Sequence, residues 1–289
     1  MTSASRTISA LGADETKAAT GRSRRRRRVF EFKRAIPRSW TILLGIAVWV
    51  IFFGIWELAV ALKLANAVLL PGPAKVLESF VTLFGEKHYL NDIGVSLFRI
   101  VASFTLACLV AVPLGILMGT FKTVEAFFNP FVSAARYLPA PSFIPLLLMW
   151  LGAGEEQKLA LLFLGVIWFL ITLIMDHSKG VPVDLINTAV TLGGRRRQVL
   201  FTVIVPAVLP NVVTAMRQML AVSWTYLVIA EIVAADSGIG AMMMRAKRFV
   251  HIDEIMAGIL TIGVLGLTFD MALRWLHKRL FTYLEDEQT

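Results

Sequence analysis

Ionisable side chains inside apolar runs are the residues best placed to do chemistry in this chain. Five of them are the main candidates: Arg99, Arg136, Arg217, Glu231 and Asp270. A charge at hydrocarbon depth is costly, so such a residue usually binds an ion or substrate or pairs with another charge. From the helical rise per residue, Arg99 and Glu231 fall near the outer ends of their runs, and Arg217 and Asp270 fall nearer the inner side. We interpret these four as two structural ion pairs, with substrate contact as the alternative.

Arg136 differs from the other four because no acidic residue lies at its depth. It lies about 12 residues into its run, near the bilayer midplane, beside a proline-rich stretch that would break a helix. A broken helix at that depth is tolerated where it lines a pathway or is buried in protein. We predict that Arg136, with Tyr137, Trp224 and Tyr226, lines a translocation pathway and favours a small anion.

Other kinds of site have no sequence signature. Cys108 is the single cysteine, and the four histidines are far apart and lack metal-ligand spacing. No glycine-rich phosphate loop with its lysine is found, and no nucleophile or acid/base cluster lies at membrane depth. We therefore predict no catalytic residue, no metal and no cofactor on this chain.

The elements that must position these residues are membrane helices. Apolar residues make up 57% of the 289 residues, charged residues 17%, and the mean hydropathy is +0.70. These values are typical of polytopic membrane proteins. A bilayer core needs about 20 helical residues per span, and six runs meet that length. We predict an all-α protein with six spans at residues 41–62, 93–119, 124–150, 158–176, 207–234 and 254–280. The third is interrupted by four prolines.

Positive charge predicts the orientation of the spans. With the N-terminus inside, 19 Lys and Arg lie in inner segments and seven in outer loops. Eleven of the 29 fall in residues 1–40, so the net charge of +9 reflects a basic tail and does not indicate nucleic-acid binding. This tail is predicted to be disordered. We interpret it as a topology signal, with binding to anionic lipid or a regulatory partner as the alternative. Both termini and the loop at 177–206 are predicted to be cytoplasmic.

Two stretches between spans also have helical patterns. In the outer loop, Val76, Leu77, Phe80, Val81 and Phe84 form an amphipathic pattern that predicts an interfacial helix.

Residues 184–210 read as two short helices broken at Gly193 and Gly194. The apolar stripe of Leu185, Ala189 and Leu192 has the spacing of one helix face. A cytosolic protein partner would cover it, with a lipid surface as the alternative.

The chain resembles the permease subunit of ATP-binding cassette importers, in the branch that handles nitrate, taurine, aliphatic sulfonates and bicarbonate. The family signature is Glu-Ala-Ala, then a glycine, then aliphatic-x-aliphatic-Pro. In this chain, residues 187–189 are Asn-Thr-Ala, followed by Gly193 and by Val203, Val205 and Pro206. Segments 69–80, 96–119, 150–163 and 222–243 are similar to family segments in the same order. Together the similarity covers residues 68–284.

The chain departs from the family pattern at two places. Asn187 and Thr188 replace the usual glutamate and alanine, and Phe169 is followed by Leu170 where the family usually has proline. A contact that depends on the carboxylate is therefore not available at position 187. We expect a bulky residue at Gly193 to disturb docking more than a charge change at Asn187.

The resemblance implies a type I importer permease fold and a division of labour between subunits. The cytosolic loop would be the coupling helix that docks on an ATPase subunit, which holds ATP and Mg. The implied partners are a second permease copy, two ATPase subunits and a periplasmic solute-binding protein, with lipid around the complex in the bacterial inner membrane. The predicted coupling residues are Leu185, Asn187, Thr188, Ala189, Leu192, Gly193, Gly194 and Pro206.

The predicted organisation is a tail at 1–40, a first span with the interfacial helix at 41–92, a permease core at 93–280 with its coupling loop at 184–206, and a tail at 281–289. The expected substrate is a small oxyanion such as nitrate, taurine or another sulfonate, or bicarbonate. A thiamine-precursor pyrimidine or another small organic solute is the alternative. A stand-alone ion-coupled carrier or channel is the other class of function. It predicts midplane carboxylates, whereas the acidic residues here lie toward span ends.

Overall fold

The computed structural model describes residues 37–282 except positions 65, 67, 87, 88 and 235. Within this part of the chain the regular elements are helical. Five helices are long and apolar enough to cross a membrane, and a bent pair of helices makes a sixth candidate. The predicted all-α membrane fold is confirmed. The predicted tail at 1–40 lies almost wholly outside the described residues, as does most of the tail at 281–289.

Helix α1, Arg38–Ala61, has 24 residues, about 36 Å of helix at 1.5 Å per residue. Its apolar window has no buried residue within this chain, as expected of a helix that is hydrophobic on all sides. Residues up to Ile55 form a unit of their own, and the chain from Trp56 onward forms a second unit.

The second unit contains all the remaining helices. They are α2 (Pro73–Glu86), α3 (Tyr89–Thr120), α4 (Lys122–Ala135), α5 (Ile144–Leu151), α6 (Glu155–Lys179), α7 (Val183–Thr191), α8 (Arg196–Val199), α9 (Val205–Ala234), α10 (Ile239–Arg248) and α11 (Ile252–Leu280). A 3₁₀ turn, Ala140–Phe143, precedes α5, and one π turn, Leu200–Ile204, joins α8 to α9.

The core of the second unit lies between α3, α6 and α9. Ile100, Leu170 and Leu227 are fully buried there. Helices α3 and α6 approach closely at Gly115, where an added Cβ would lie 2.9 Å from the Ile171 carbonyl oxygen. Small residues permit such close approach in membrane helices, where van der Waals packing replaces the hydrophobic effect between helices. This packing holds fixed the faces that carry the charged residues.

Helix α2 packs on α11 through one face. Val76, Ser79 and Leu83 are buried, and the Ser79 hydroxyl donates to Asp253 Oδ2 at 2.7 Å. Leu77 and Val81 are exposed. The predicted amphipathic helix is therefore present. Its buried side differs from the predicted apolar side, because the sequence pattern alone could not show that a serine belongs to the buried face.

The predicted third span, 124–150, is broken in the middle. Helices α4 and the 3₁₀–α5 segment meet at 83°. Residues 136–139 link them, and Pro139 has φ −63° and ψ 120°, outside the helical region. The ring of Pro139 also disfavours a helical conformation for the residue before it. The proline positions therefore explain the place of the break.

Candidate functional site

Helix α7 is exposed and contacts the core through one side only. It has no buried residue, and only Ile186 and Ala189 pack against the core. The opposite face forms a shallow concave surface of about 300 Å³ lined by Asp184, Asn187, Thr188, Thr191 and Leu192. This differs from the prediction that Ala189 belongs to the docking face. The outward face is mostly polar, with Leu192 at 84% exposure and Leu185 at 50% as its apolar flank.

A glycine turn ends α7 and fixes the direction of the next helix. Gly193 has φ +87°, a conformation that residues with a side chain rarely adopt. Its N–H donates to the Val190 carbonyl at 2.9 Å, and the Gly194 N–H donates to the Ala189 carbonyl at 3.0 Å. These two bonds define a Schellman motif. A Cβ on Gly194 would lie 2.7 Å from the Ala189 carbonyl oxygen, so both glycines are required for different reasons.

The chain continues from this turn into a long helix without a break. The Arg195 N–H donates to Gln198 Oε1 at 2.9 Å, which caps the start of α8. The π turn that follows is next to Pro206, which has no N–H to donate to the helix ladder. From Arg196 to Ala234 the helix runs for 39 residues. The α7 segment is therefore connected rigidly to a membrane span.

Arg99 is the centre of a buried charge network. Its side chain has no exposed surface, and Nη1 donates to Glu231 Oε1 at 2.7 Å. Nε and Nη2 donate to the two carboxylate oxygens of Glu155, each at 2.6 Å. Such bidentate pairs are among the strongest hydrogen bonds in proteins. The structure thus brings Arg99 and Glu231 together and adds Glu155, which sequence patterns did not identify.

The same network holds the turn between α9 and α10. Glu231 Oε1 accepts from the Ser96 hydroxyl at 2.7 Å, and Glu231 Oε2 accepts from the Gly240 N–H at 2.7 Å. Arg99 Nη1 donates to the Ser237 carbonyl at 2.7 Å. Gly238 has φ +111°, so a residue with a side chain would be strained there. Helices α3, α6, α9 and α10 are therefore tied at one point.

Two further ion pairs balance the charge of this network. Asp92 Oδ2 pairs with Arg245, and Asp92 Oδ1 accepts from the Gly238 N–H at 2.7 Å. Lys158, almost fully buried, donates to Glu155 Oε1 at 3.2 Å. Three cations thus face three carboxylates: Arg99, Lys158 and Arg245 face Asp92, Glu155 and Glu231. The fully buried pair, Arg99 and Glu231, therefore belongs to a group whose charges balance, as is needed for buried charges in a membrane protein.

Arg217 and Asp270 also lie together. Arg217 Nε and Nη2 approach Asp270 Oδ1 at 2.9 and 2.8 Å, and Arg274 Nη2 donates to Asp270 Oδ2 at 2.9 Å. This pair joins α9 to α11. Both side chains are partly exposed, unlike those of Arg99 and Glu231.

The four predicted pathway residues have separate surroundings. Arg136 lies at the end of α4, with its guanidinium carbon 5.9 Å from the centroid of the Tyr137 ring. Trp224 is buried and packs edge-on against Phe269 at 6.1 Å. Tyr226 lies against Gly165 of α6. Trp224 and Tyr226 therefore have packing contacts within the helix bundle, which differs from the prediction that they line the pathway with Arg136.

Sequence reasoning missed Glu155, Asp92, Lys158 and Arg245 as members of the network. Each lies at or beyond the end of an apolar run, where charged residues are usually solvated. The available signal was the presence of Glu155 in the first turn of α6, where an acidic residue suits the helix dipole. That signal predicts a helix start, and only the packing of α6 on α3 shows that Arg99 is its partner.

Known proteins share both the sequence pattern and the fold. The family described as "Binding-protein-dependent transport system inner membrane component" matches residues 111–282. The chain is 32% identical over 249 residues to the taurine transport system permease protein TauC of Escherichia coli (strain K12), covering 84% of this chain and 90% of that protein. It is 26% identical over 233 residues to the nitrate import permease protein NrtB of Synechocystis sp. (strain ATCC 27184 / PCC 6803 / Kazusa), covering 78% and 84%.

Among solved structures, an amino acid ABC transporter with histidines aligns with a TM-score of 0.57 at 15% identity. The alignment covers 70% of this chain and 96% of that chain, which shows a shared fold. The exposed α7–α8 segment, the helical membrane core and the family match agree with one another. The chain belongs to the inner-membrane permease subunits of binding-protein-dependent ATP-binding cassette importers, and it is a transporter subunit rather than an enzyme.

Proposed function

We propose that this permease pairs with a second copy of itself and imports a small oxyanion, using ATP hydrolysed by two separate ATPase subunits. Six spans in one chain form too small a wall for alternating access, so a pair of permeases is expected. A periplasmic binding protein would deliver the substrate. Both termini and the α7–α8 segment would be cytoplasmic, and ATP and Mg would be held by the partner ATPase.

The exposed α7 and its rigid connection to α9 carry this proposal. A surface helix without a buried residue contributes little to the stability of its own chain. Its shape is nevertheless fixed by the glycine turn and by the capped start of α8. An element of fixed shape with an uncovered face is suited to a protein partner, and a continuous helix transmits its displacement into the membrane. An ATPase subunit is therefore the expected partner.

The polar composition of the α7 face defines the expected contact. Asp184, Asn187, Thr188 and Thr191 face outward. The Thr188 and Thr191 hydroxyls donate to carbonyls of their own helix, at Asp184 and Asn187. Asp184 is the charged residue among these four. We therefore propose hydrogen bonding at the centre of this surface, with Leu185 and Leu192 packing at its edge.

Co-purification tests the docking. The tagged permease is expected to retain an untagged ATPase subunit, and the Asn187→Asp variant should retain it as well. Gly193→Val forces a β-branched residue into a left-handed backbone conformation, at a cost of about 1–2 kcal/mol or a changed turn. We expect this variant to lose most of the bound ATPase and most of the ATP hydrolysis stimulated by the binding protein.

Gly154→Val is the matched control for this experiment. Gly154 has φ −76° and open space around its Cβ position, so the same substitution fits without strain. If Gly193→Val retains as much ATPase subunit as Gly154→Val does, α7 does not dock as proposed. A carrier driven by an ion gradient would retain no ATPase subunit in any variant.

Thermal shift of the purified binding protein tests the substrate class. We expect nitrate, taurine, an alkanesulfonate or bicarbonate to raise its melting temperature, since a ligand that binds only the folded state stabilises it. A shift with a thiamine-precursor pyrimidine, and none with the oxyanions, would contradict the proposed class while leaving the importer function in place.

A further inference from the structure

The break between α4 and α5 leaves backbone carbonyls uncovered. In the described part of the chain, the N–H groups of Arg136, Tyr137 and Leu138 donate to carbonyls of α4. No described backbone N–H donates to the carbonyl oxygens of those three residues. Tyr137 is 81% exposed and Leu138 55% exposed. This short segment therefore presents unpaired acceptors on the surface of the subunit.

Such a surface cannot face hydrocarbon. An unsatisfied backbone polar group in lipid costs several kcal/mol, so non-helical backbone at membrane depth is found only where it is buried in protein or lines a water-filled cavity. Fourteen residues of α4 separate the break from the polar end of the helix at Lys122, about 20 Å along the helix axis. With α4 as the first half of a broken span, the break lies well inside the bilayer, and its surroundings must contain water or protein.

Arg136 is the charged residue of this break. Its Nε is buried and has no hydrogen-bond partner in the described residues. Arg99 and Arg217, which also lie within spans, are both paired with carboxylates. Arg136 forms none of the ion pairs found in the described part of the chain. A cation without a fixed counter-ion differs from the structural pairs and is able to attract a mobile anion, while water is needed to solvate the uncovered carbonyls beside it.

We propose that Arg136, placed at the water-accessible break at residues 136–139, is an oxyanion site in the translocation pathway, for a sulfonate or nitrate group. This rests on the proposed import of an oxyanion. The planar guanidinium can donate two parallel hydrogen bonds to two oxygens of such a group. The Tyr137 hydroxyl is a further donor. Trp224 and Tyr226 are not part of the site, since they pack inside the bundle.

Cysteine labelling of the assembled complex tests the site directly. Cys108 is the single cysteine, so Cys108→Ala provides a background free of thiols. In that background, Leu138→Cys places a thiol at the break, and Leu109→Cys places one on an exposed apolar position of α3 as the control. The probes are two methanethiosulfonates of equal reactivity class, one carrying a sulfonate group and the other a trimethylammonium group. The complex is reconstituted in vesicles.

We expect the thiol of Leu138→Cys to react with both probes and to prefer the sulfonate probe. The Leu109→Cys thiol should react with neither, because a thiol in hydrocarbon stays protonated and meets no charged reagent. Adding Arg136→Gln should lower the ratio of sulfonate to trimethylammonium labelling by at least about tenfold, since one unit charge near the thiol acts in opposite directions on the two probes. Adding Arg136→Lys should preserve the preference for the sulfonate probe.

Two results would overturn the proposal. One is a Leu138→Cys thiol as unreactive as the Leu109→Cys thiol, and the other is a labelling ratio that Arg136→Gln leaves unchanged. Binding-protein-stimulated ATP hydrolysis in the Cys108→Ala background is measured alongside. If that hydrolysis persists while the labelling pattern fails, the import function holds and only the site is lost.

Discussion

Replacing Glu231 by glutamine tests the buried charge network with almost no change in shape. The carboxylate accepts three hydrogen bonds, from Arg99, Ser96 and Gly240. Glutamine offers one oxygen and one NH₂ group, so either the Gly240 N–H or the pair of donors at Oε1 must face another donor. The substitution also removes one of the two carboxylates that balance Arg99, whose side chain is fully buried.

The expected decrease in the free energy of unfolding follows from these losses. A hydrogen bond to a charged group contributes about 1.5–3 kcal/mol, and a buried donor without an acceptor costs about 1–3 kcal/mol. Together these amount to about 2.5–6 kcal/mol, a range that contains the 3–5 kcal/mol cost of breaking a buried ion pair. At 2–4 °C per kcal/mol for a chain of this size, the melting temperature should fall by roughly 10 °C.

The assay is thermal unfolding of the purified complex in detergent, compared with Glu125→Gln. Glu125 also accepts from two basic residues, Lys179 at 2.6 Å and Lys122 at 3.0 Å. Lys122 is largely exposed and Lys179 is about one-third exposed, so water reaches both pairs and their loss should matter less than the loss of a fully buried pair. The reasoning is refuted if Glu231→Gln melts within experimental error of Glu125→Gln.

Two further substitutions probe packing and a single hydrogen bond. Gly165→Val places a side chain where the Tyr226 ring lies, with ring atoms 2.6–2.7 Å from the Cβ position. It should destabilise the fold by about 1–3 kcal/mol, and adding Tyr226→Ala should recover part of this in the same unfolding assay; no recovery would show that Tyr226 is not the obstacle. Ser79→Ala removes the hydrogen bond to Asp253 and should cost about 1 kcal/mol. Thr82→Ala is the control, since the Thr82 hydroxyl donates only a long, exposed hydrogen bond to the Glu78 carbonyl of its own helix; equal effects would contradict a role for the Asp253 contact.

The helices and the pairing of charges followed from simple patterns in the sequence. Hydropathy located the spans because each needs about 20 apolar residues. Depth estimates matched Arg99 with Glu231, and Arg217 with Asp270, because residues at equal depth on neighbouring helices are able to meet. The proline positions also indicated that the third span would break.

The sequence did not show which side of a helix packs against its neighbours. The spacing of Leu185, Ala189 and Leu192 indicates a common side of α7, but not which side the core covers. In the structure, Ala189 and Ile186 lie on the side of α7 that packs against the core. Trp224 is aromatic and lies in a span, which suits a pathway as well as a packed interior. Only tertiary contacts distinguish these roles.

The long helix formed by α8, the π turn and α9 connects the exposed α7 segment to the Arg99 network. Its 39 residues correspond to about 58 Å at the α-helical rise. One end follows the Gly193 turn, and the other end carries Glu231, which holds the turn before α10 through the Gly240 N–H. A displacement of α7 would therefore reach the α10 turn through one continuous helix. Because the Arg99 network also includes α3 and α6, that movement must shift these helices together or break ion pairs that are costly to break. The buried charges thus favour movement of this end of the subunit as one rigid body.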